Sequence, residues 1–140
     1  MRIPVFIAVI LLGLAGCQTV DITSEVTRDV RSYHHVFVRT ASNDSAHVDQ
    51  AIVQELQRLG YDASYGPRTM APDNTEIYLE YTAQWDWDFR TYLIRLNVIV
   101  RDARSDVKLA SAGIFHPGYT NKSPDQLVRL ILKPVFGPKK

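Results

Sequence analysis

The chain has 140 residues, of which 46% are hydrophobic, and it carries 16 Lys and Arg against 15 Asp and Glu. This length is enough for one small domain with a single hydrophobic core. The near-neutral charge provides no basic field for binding nucleic acid, so we expect no nucleic-acid partner.

The first 16 residues are typical of a secretory signal peptide. A short basic start is followed by an apolar run over residues 3–12, which is too short for a transmembrane helix of about 20 residues. Leu14-Ala15-Gly16-Cys17 then places small residues directly before the only cysteine. This stretch resembles the lipobox of bacterial lipoproteins. The resemblance implies diacylglycerol transfer to the Cys17 thiol, cleavage between Gly16 and Cys17, and acylation of the new amino terminus. A plain secretory signal with an incidental cysteine is the alternative.

Residue 18 bears on where the protein works. In many Gram-negative lipoproteins an Asp after the lipidated cysteine retains the protein at the inner membrane, whereas this chain has Gln18. The resemblance therefore implies the outer membrane, with the protein anchored through lipid on Cys17 and facing the periplasm. Two or three acyl chains hold a protein stably on a bilayer. Residues 17–32 are polar and show no sustained period, so they are expected to form a tether.

We expect one α+β domain over residues 33–137, beginning with strand, helix and strand. Residues 33–40 are rich in β-formers and alternate, which predicts the first strand. Asn43-Asp44-Ser45 offers N-cap candidates for a helix that ends at Gly60. The apolar positions of this helix recur at helical spacing: Val48, Ile52, Leu56 and Leu59. A weaker strand is expected over residues 61–65.

The clearest strand covers residues 77–88, where apolar and polar residues alternate. Its apolar face contains Ile77, Leu79, Tyr81, Ala83, Trp85 and Trp87. The next strands, 91–102 and 107–115, follow as hairpins. If Trp87 lies opposite Tyr92, then Trp85 lies opposite Ile94 and the two apolar faces coincide. This register predicts that both indoles belong to the core.

A short helix is expected after Ser123-Pro124-Asp125-Gln126, which has capping-box spacing with Pro at the first helical position. Its apolar stripe contains Leu127, Leu130 and Ile131, and Pro134 is expected to limit its length. The element order favours a two-layer α+β sandwich. We expect a four- to five-stranded, mixed, mainly antiparallel sheet with two helices on one face.

The same register places an apolar group on the outer, otherwise polar face of the sheet. Its members are Tyr78, Leu93, Ile99 and Ile114. Such a group needs a cover, which is either the tether or a loop, or else a partner protein. These four residues form the candidate interaction surface.

The residues that bear chemistry do not form a recognisable catalytic or metal motif. Trp85-Asp86-Trp87-Asp88 could form a ligand platform, but the alternation favours core packing for the indoles. The adjacent histidines His34 and His35 point to opposite faces of a strand, so they cannot both bind one metal there. A scattered Ser, His and Asp triad stays open. We expect no metal, no cofactor, no catalytic residue and no enzymatic activity.

The chain resembles a family of small uncharacterised Gram-negative lipoproteins. The matching pieces are Leu59-Gly60-Tyr61, the strand Tyr81-Thr82-Ala83-Gln84-Trp85-Asp86-Trp87-Asp88, and the final helix over 127–136. We therefore expect a lipid-anchored, non-catalytic binding or envelope-assembly module with an envelope protein as partner. The alternatives are a small hydrolase or ligand carrier with a cleft near Trp85 and Trp87, and an immunity or inhibitor lipoprotein.

Overall fold

A computed structural model describes residues 20–118 and 120–138. The predicted signal peptide over residues 1–16 and the predicted lipidation site at Cys17 lie outside the described residues. The elements are β1 (Asp21–Val26), β2 (His35–Arg39), α1 (Val48–Arg58), β3 (Asp62–Gly66), a short 3₁₀ turn (Arg68–Met70), β4 (Ile77–Asp88), β5 (Arg90–Asp102), β6 (Lys108–Phe115) and α2 (Pro124–Phe136).

The strands form one mixed sheet in the order β1-β6-β5-β4-β2-β3. β2 runs parallel to β3 and β4, whereas β1, β6, β5 and β4 pair antiparallel with their neighbours. The α+β class is confirmed, but the sheet has six strands rather than four to five. The additional strand, β1, lies in the segment that was expected to be a tether. All six of its residues are exposed, so it has no buried face, and only Ile22 and Val26 among them are apolar.

Both helices pack on the same face of the sheet and enclose one hydrophobic core. The helix α1 covers the parallel strands, where Val36 and Val38 are buried, and α2 covers β5 and β6. The fully buried side chains of this core include Ile52, Leu56, Ile77, Leu79, Leu96, Leu127 and Ile131. Burial of such side chains contributes about 1.5–3 kcal/mol each to folding before entropy is counted.

Asp44 caps the start of α1 from outside the helix. Its carboxylate accepts hydrogen bonds from the backbone N–H of Val48 at 3.1 Å and of Asp49 at 3.0 Å. It also accepts the hydroxyl of Tyr81, which donates from β4. The helix therefore starts at Val48 because two of its unpaired amides are satisfied by Asp44. The N-cap position itself is His47 rather than one of the three candidates, but the Asp44 side chain caps the helix from upstream.

The capping box of α2 is present as expected. Ser123 accepts a hydrogen bond from the Gln126 backbone N–H, and the Gln126 side chain accepts one from the Ser123 N–H at 2.9 Å. The expectation that Pro134 limits the helix is wrong, because α2 continues to Phe136 with Pro134 inside it. Val135 and Phe136 are buried in the core, and this packing favours continuation of the helix beyond Pro134 to Phe136.

An irregularity in the hairpin of β4 and β5 changes the predicted register. Ala83 lies opposite Leu96 as expected, but the pairing shifts between Gln84 and Trp85. Trp85 consequently lies opposite Leu93 rather than Ile94, and Trp87 lies opposite Thr91. Ile94 is the extra residue of this bulge. One extra residue moves each residue beyond it to the opposite face of the sheet from the one that simple alternation predicts.

The bulge corrects two expectations about burial. Leu93 is turned from the outer face into the core, where it is 2% exposed. Trp85 packs partly against the core, but Trp87 is 69% exposed, so the expectation that both indoles belong to the core is wrong for Trp87. The pairing with β2 ends at Glu80, so the last part of β4 is not supported by that neighbour.

A second irregularity explains why Ile114 is not on the outer face. The pairing of β5 and β6 shifts between Val100 and Arg101, with Leu109 as the extra residue. Ile114 then lies opposite Leu96 in the core and is 3% exposed. Its assignment to the candidate interaction surface is therefore corrected.

Candidate functional site

The outer face, meaning the side of the sheet away from the helices, keeps two of the four candidate residues. Tyr78 on β4 and Ile99 on β5 are half-buried there, whereas Leu93 and Ile114 lie in the core. The candidate interaction surface is thus smaller than the sequence predicts. It also lies among charged and polar neighbours rather than forming an apolar patch.

The centre of the outer face is an ionic cluster around Glu80. Its carboxylate accepts hydrogen bonds from Arg39 on β2 and from Arg101 on β5, the latter at 3.3 Å. The guanidinium of Arg39 lies over the Tyr78 ring, 4.0 Å from its centroid. Among the described residues, the Nε and Nη2 of Arg39 find no hydrogen-bond acceptor. The aromatic face of Tyr78 compensates in part for this loss of hydration.

A loop covers the end of the outer face that lies over β2 and β3. Phe37 points to this side, yet it is 1% exposed, and its ring meets Tyr78 edge-on at 6.3 Å. Gly66 lies beside both Phe37 and the 3₁₀ turn. A Cβ added to Gly66 would lie 3.6 Å from the Phe37 ring and 3.8 Å from the Cβ of Met70. The 3₁₀ turn containing Met70 is therefore part of the cover that the apolar residues of this face require.

Ile99 contributes to a shallow depression on the other half of the outer face. The depression has a volume of about 280 Å³ and is lined by small and polar residues of β1, β5 and β6, including Thr23, Asn97, Ser111 and Gly113. A Cβ on Gly113 would lie 2.6 Å from the Asn97 Oδ1. A side chain at this position would therefore have to displace the Asn97 amide.

Tyr78 contributes to a second, more polar cleft of about 590 Å³ between residues 68–76 and the turn after β5. Glu76 lies at this cleft and accepts the backbone N–H of His34 at 2.6 Å and of His35 at 2.8 Å. The hydrogen bond from the His35 N–H, and next that from the His34 N–H, hold the pKa of the Glu76 carboxyl below its usual range. Glu76 is thus ionised and already partnered by the start of β2.

The histidines are not brought together. His35 Nδ1 contacts the Asp62 carboxylate at 2.9 Å, whereas the buried His116 lies against the Gly118 carbonyl at 2.6 Å. In residues 20–118 and 120–138, no three His, Cys, Asp or Glu side chains approach closely enough to hold a metal ion.

The tip of the β4–β5 hairpin is the most exposed apolar feature of the described chain. We call the segment 86–90 the hairpin tip. Phe89 is 93% exposed and Trp87 is 69% exposed. Phe89 also has φ of 63°, a left-handed conformation that bulky side chains rarely adopt. Sequence analysis missed Phe89, and a signal was available, because an aromatic residue stands where Gly or Asn is usual.

β1 forms an open edge of the sheet. It pairs with β6 on one side and is the end strand among the described residues. Ile22 is 42% and Val26 is 44% exposed on the helix side of this strand. Ile22 borders an apolar groove of about 580 Å³ shared with Leu130 and Pro134 of α2. A strand with one unpaired edge beside an apolar groove can accept a further strand from another chain.

Comparison with known proteins shows similarity at the level of the fold. No protein-family model and no curated protein matches the chain. Two crystal structures of the PelC dodecamer from Paraburkholderia phytofirmans superpose with TM-scores of 0.63 and 0.62 at 12% and 11% identity. Each match covers 85% of this chain and 96% of that chain.

A PDZ domain protein from Parabacteroides distasonis superposes with a TM-score of 0.50 at 8% identity. The match covers 84% of this chain but 35% of that one, so this chain corresponds to about a third of the longer protein. Identities this low show a shared fold and do not carry over a function. In the described part of the chain, neither helix is long and apolar enough to cross a membrane.

Proposed function

We propose that the protein is a lipid-anchored, non-catalytic assembly module of the outer membrane, facing the periplasm, that binds an envelope protein. The anchor rests on the sequence Leu14-Ala15-Gly16-Cys17 followed by Gln18. Removal of residues 1–16 takes Arg2 and no acidic residue, so the remaining Lys and Arg balance the Asp and Glu. A neutral domain fits a protein partner better than a nucleic acid.

The open edge of β1 is the observation that carries the binding role. β1 begins four residues after Cys17, and all of its side chains are exposed. Main-chain groups on such an edge give affinity, and flanking apolar contacts such as those at Ile22 give specificity. Binding at this edge would hold a partner beside the anchor.

A second copy of this chain is one candidate for the envelope partner. The similar fold of PelC occurs in a dodecamer, so that fold is compatible with self-assembly. An extended segment of a different envelope protein is the other candidate. Either partner would bind the β1 edge, and the mass of the complex distinguishes a second copy of this chain from a different protein.

The hydrolase or ligand-carrier alternative places a cleft at Trp85 and Trp87. These residues lie on a projecting hairpin, with Trp85 packed partly on the core and Trp87 turned to solvent. This geometry favours contact with a surface over enclosure of a small ligand.

Photocrosslinking in the envelope tests the proposed binding role. A photoreactive residue replaces Ser24 on β1 or Ile99 on the outer face, and Met70, which is 69% exposed above β3, provides the matched control position. We expect one recurrent protein adduct at Ser24, weaker labelling at Ile99 and none at Met70. Correctly anchored protein that gives no adduct at Ser24, or gives equal adducts at Met70, contradicts the proposal.

A further inference from the structure

We propose that the tip of the β4–β5 hairpin enters the membrane interface beside the lipid anchor, so that the domain contacts the bilayer at two points. This inference rests on the proposed anchoring at Cys17. It concerns Trp87 and Phe89, which the fold leaves without a packing role.

The sheet register places the start of β1 and the hairpin tip at the same end of the domain. Asp21, the first residue of β1, lies opposite Phe115, and Phe115 lies opposite Arg95 on β5. Since β1 runs in the same direction as β5, β1 begins on the side of the sheet on which β5 begins. That side is the hairpin tip.

The reach of the two features also agrees. Cys17 precedes Asp21 by four residues, which span at most about 14 Å when fully extended. Arg90 precedes Arg95 by five residues of β5, which rise about 17 Å at the usual strand spacing. A lipid on Cys17 and the hairpin tip therefore reach nearly the same level beyond the body of the sheet.

The hairpin projects beyond its neighbouring strands and has no packing reason to carry aromatic residues. β2 pairs with β4 only as far as Glu80, and β6 pairs with β5 only from Arg95. Phe89 stands at positive φ and is 93% exposed, so it incurs a conformational cost without burying surface within the domain. This combination indicates that the burial occurs against something outside the domain.

The residue types favour a lipid surface as the occupant. Trp and Tyr are enriched at the membrane interface because their rings are apolar with one polar group, and the tip carries Trp87 with Tyr92 just behind it. Burial, followed by the nearby charges of Asp86 and Asp88, raises the pKa of the Tyr92 hydroxyl, which stays neutral. With two carboxylates against the single guanidinium of Arg90, the net negative charge of the tip favours zwitterionic headgroups over strongly anionic ones.

The depth of Trp87 in a bilayer tests this inference with the full lipidated protein. The chain has two tryptophans, so Trp85→Phe leaves Trp87 as the single fluorophore and Trp87→Phe leaves Trp85 as the matched control. Each variant is reconstituted into phosphatidylethanolamine and phosphatidylcholine vesicles with or without brominated acyl chains. We expect quenching of Trp87 by the brominated lipids to be severalfold stronger than that of Trp85.

A second pair of variants separates the tip from general apolar exposure. Phe89→Ser removes the exposed aromatic at the tip, and Met70→Ser removes an exposed apolar side chain beside β3, at the edge of the sheet. In the Trp85→Phe background we expect Phe89→Ser to reduce the quenching of Trp87 at least severalfold, whereas Met70→Ser leaves it unchanged. Equal effects of the two substitutions overturn the inference.

Flotation of the same vesicles distinguishes failure of this inference from failure of the proposed anchoring. If the protein floats but Trp87 is quenched by aqueous iodide and not by brominated lipid, the tip faces water and the inference is wrong while the anchor stands. If Trp87 is shielded from both quenchers, a protein partner or second copy covers it and the inference is also wrong. If Cys17→Ser combined with Phe89→Ser floats as well as the parent protein, the proposed lipid anchor is wrong.

Discussion

Replacing Asp44 by Ala is expected to destabilise the domain, because this carboxylate joins the start of α1 to β4. Asp44 accepts two backbone N–H groups at the start of α1 and the hydroxyl of Tyr81, whose side chain is 6% exposed. Loss of the helix cap costs about 1 kcal/mol. A buried hydroxyl that loses a charged acceptor costs about 1.5–3 kcal/mol. Since the two losses share one carboxylate, we expect a combined loss of about 2–4 kcal/mol.

Urea unfolding followed by far-ultraviolet circular dichroism measures this loss as a change in the free energy of unfolding. Tyr81→Phe removes only the hydroxyl, and in the double variant with Asp44→Ala the two costs are expected to overlap rather than add. Asp73→Ala, an exposed aspartate in the loop before β4, is the control and should change stability by less than about 0.5 kcal/mol.

The pH dependence gives the same prediction an independent check. Partial burial would raise the pKa of Asp44, but the hydrogen bonds from Tyr81, Asp49 and Val48 outweigh it and hold this pKa below its ordinary value. A lowered folded-state pKa contributes stability above the unfolded value of about 3.9, and this contribution is lost as pH falls through the folded-state pKa. The difference between wild type and Asp44→Ala should therefore shrink in acid. A stability loss below about 0.5 kcal/mol, or one independent of pH, refutes the reasoning.

Two further substitutions test the core assignment and the contact between helices. Leu96→Ala opens a cavity at a fully buried site and should lower the free energy of unfolding by about 2–5 kcal/mol. Trp87→Ala should lower it by less than about 0.5 kcal/mol. Equal losses of stability in thermal unfolding would show that Trp87 belongs to the core. Glu55 is buried and accepts Arg58 of α1 at 2.8 Å and Arg129 of α2 at 3.4 Å. Hydrogen bonding from Arg58 is the main cause that lowers the pKa of Glu55. Glu55→Gln should therefore lower the free energy of unfolding by about 1 kcal/mol at neutral pH and by less in acid. A difference in stability between the variant and the wild type that stays the same across pH would contradict this.

The elements that the sequence predicts well are those with a buried face. Val48, Ile52 and Leu56 recur along α1, and the alternation from Ile77 to Tyr81 marks β4, because in each case one side of the element meets the core. The capping box of α2 is equally local, since Ser123 and Gln126 contact each other directly. Such features depend on neighbours along the chain.

The elements that the sequence misplaces depend on contacts between strands. β1 has six exposed residues and pairs through its backbone with β6, and its two apolar residues, Ile22 and Val26, are too few to predict a strand. The bulges at Ile94 and Leu109 each insert one residue, and each reverses the faces that simple alternation assigns to the residues beyond it. Leu93 and Ile114 therefore moved from the predicted surface to the core.

The candidate site follows the same pattern. Tyr78 and Ile99 keep their predicted face because no irregularity separates them from the regular part of the β4–β5 pairing. The cluster joining Arg39 to Glu80 requires the parallel pairing of β2 and β4, which the sequence does not specify. Likewise, the start of β1 lies on the side of the hairpin tip only because β1 pairs antiparallel with β6 and β6 with β5.

The mass of the amino-terminal peptide from purified outer membranes tests the central claim most directly. Lipid anchoring predicts a peptide that begins at Cys17 and carries a diacylglyceryl group on sulfur with a further acyl chain on the amino group. A Cys17→Ser variant should lack these masses and leave the membrane fraction. An amino-terminal peptide that begins at another residue, or begins at Cys17 without lipid, contradicts the claim.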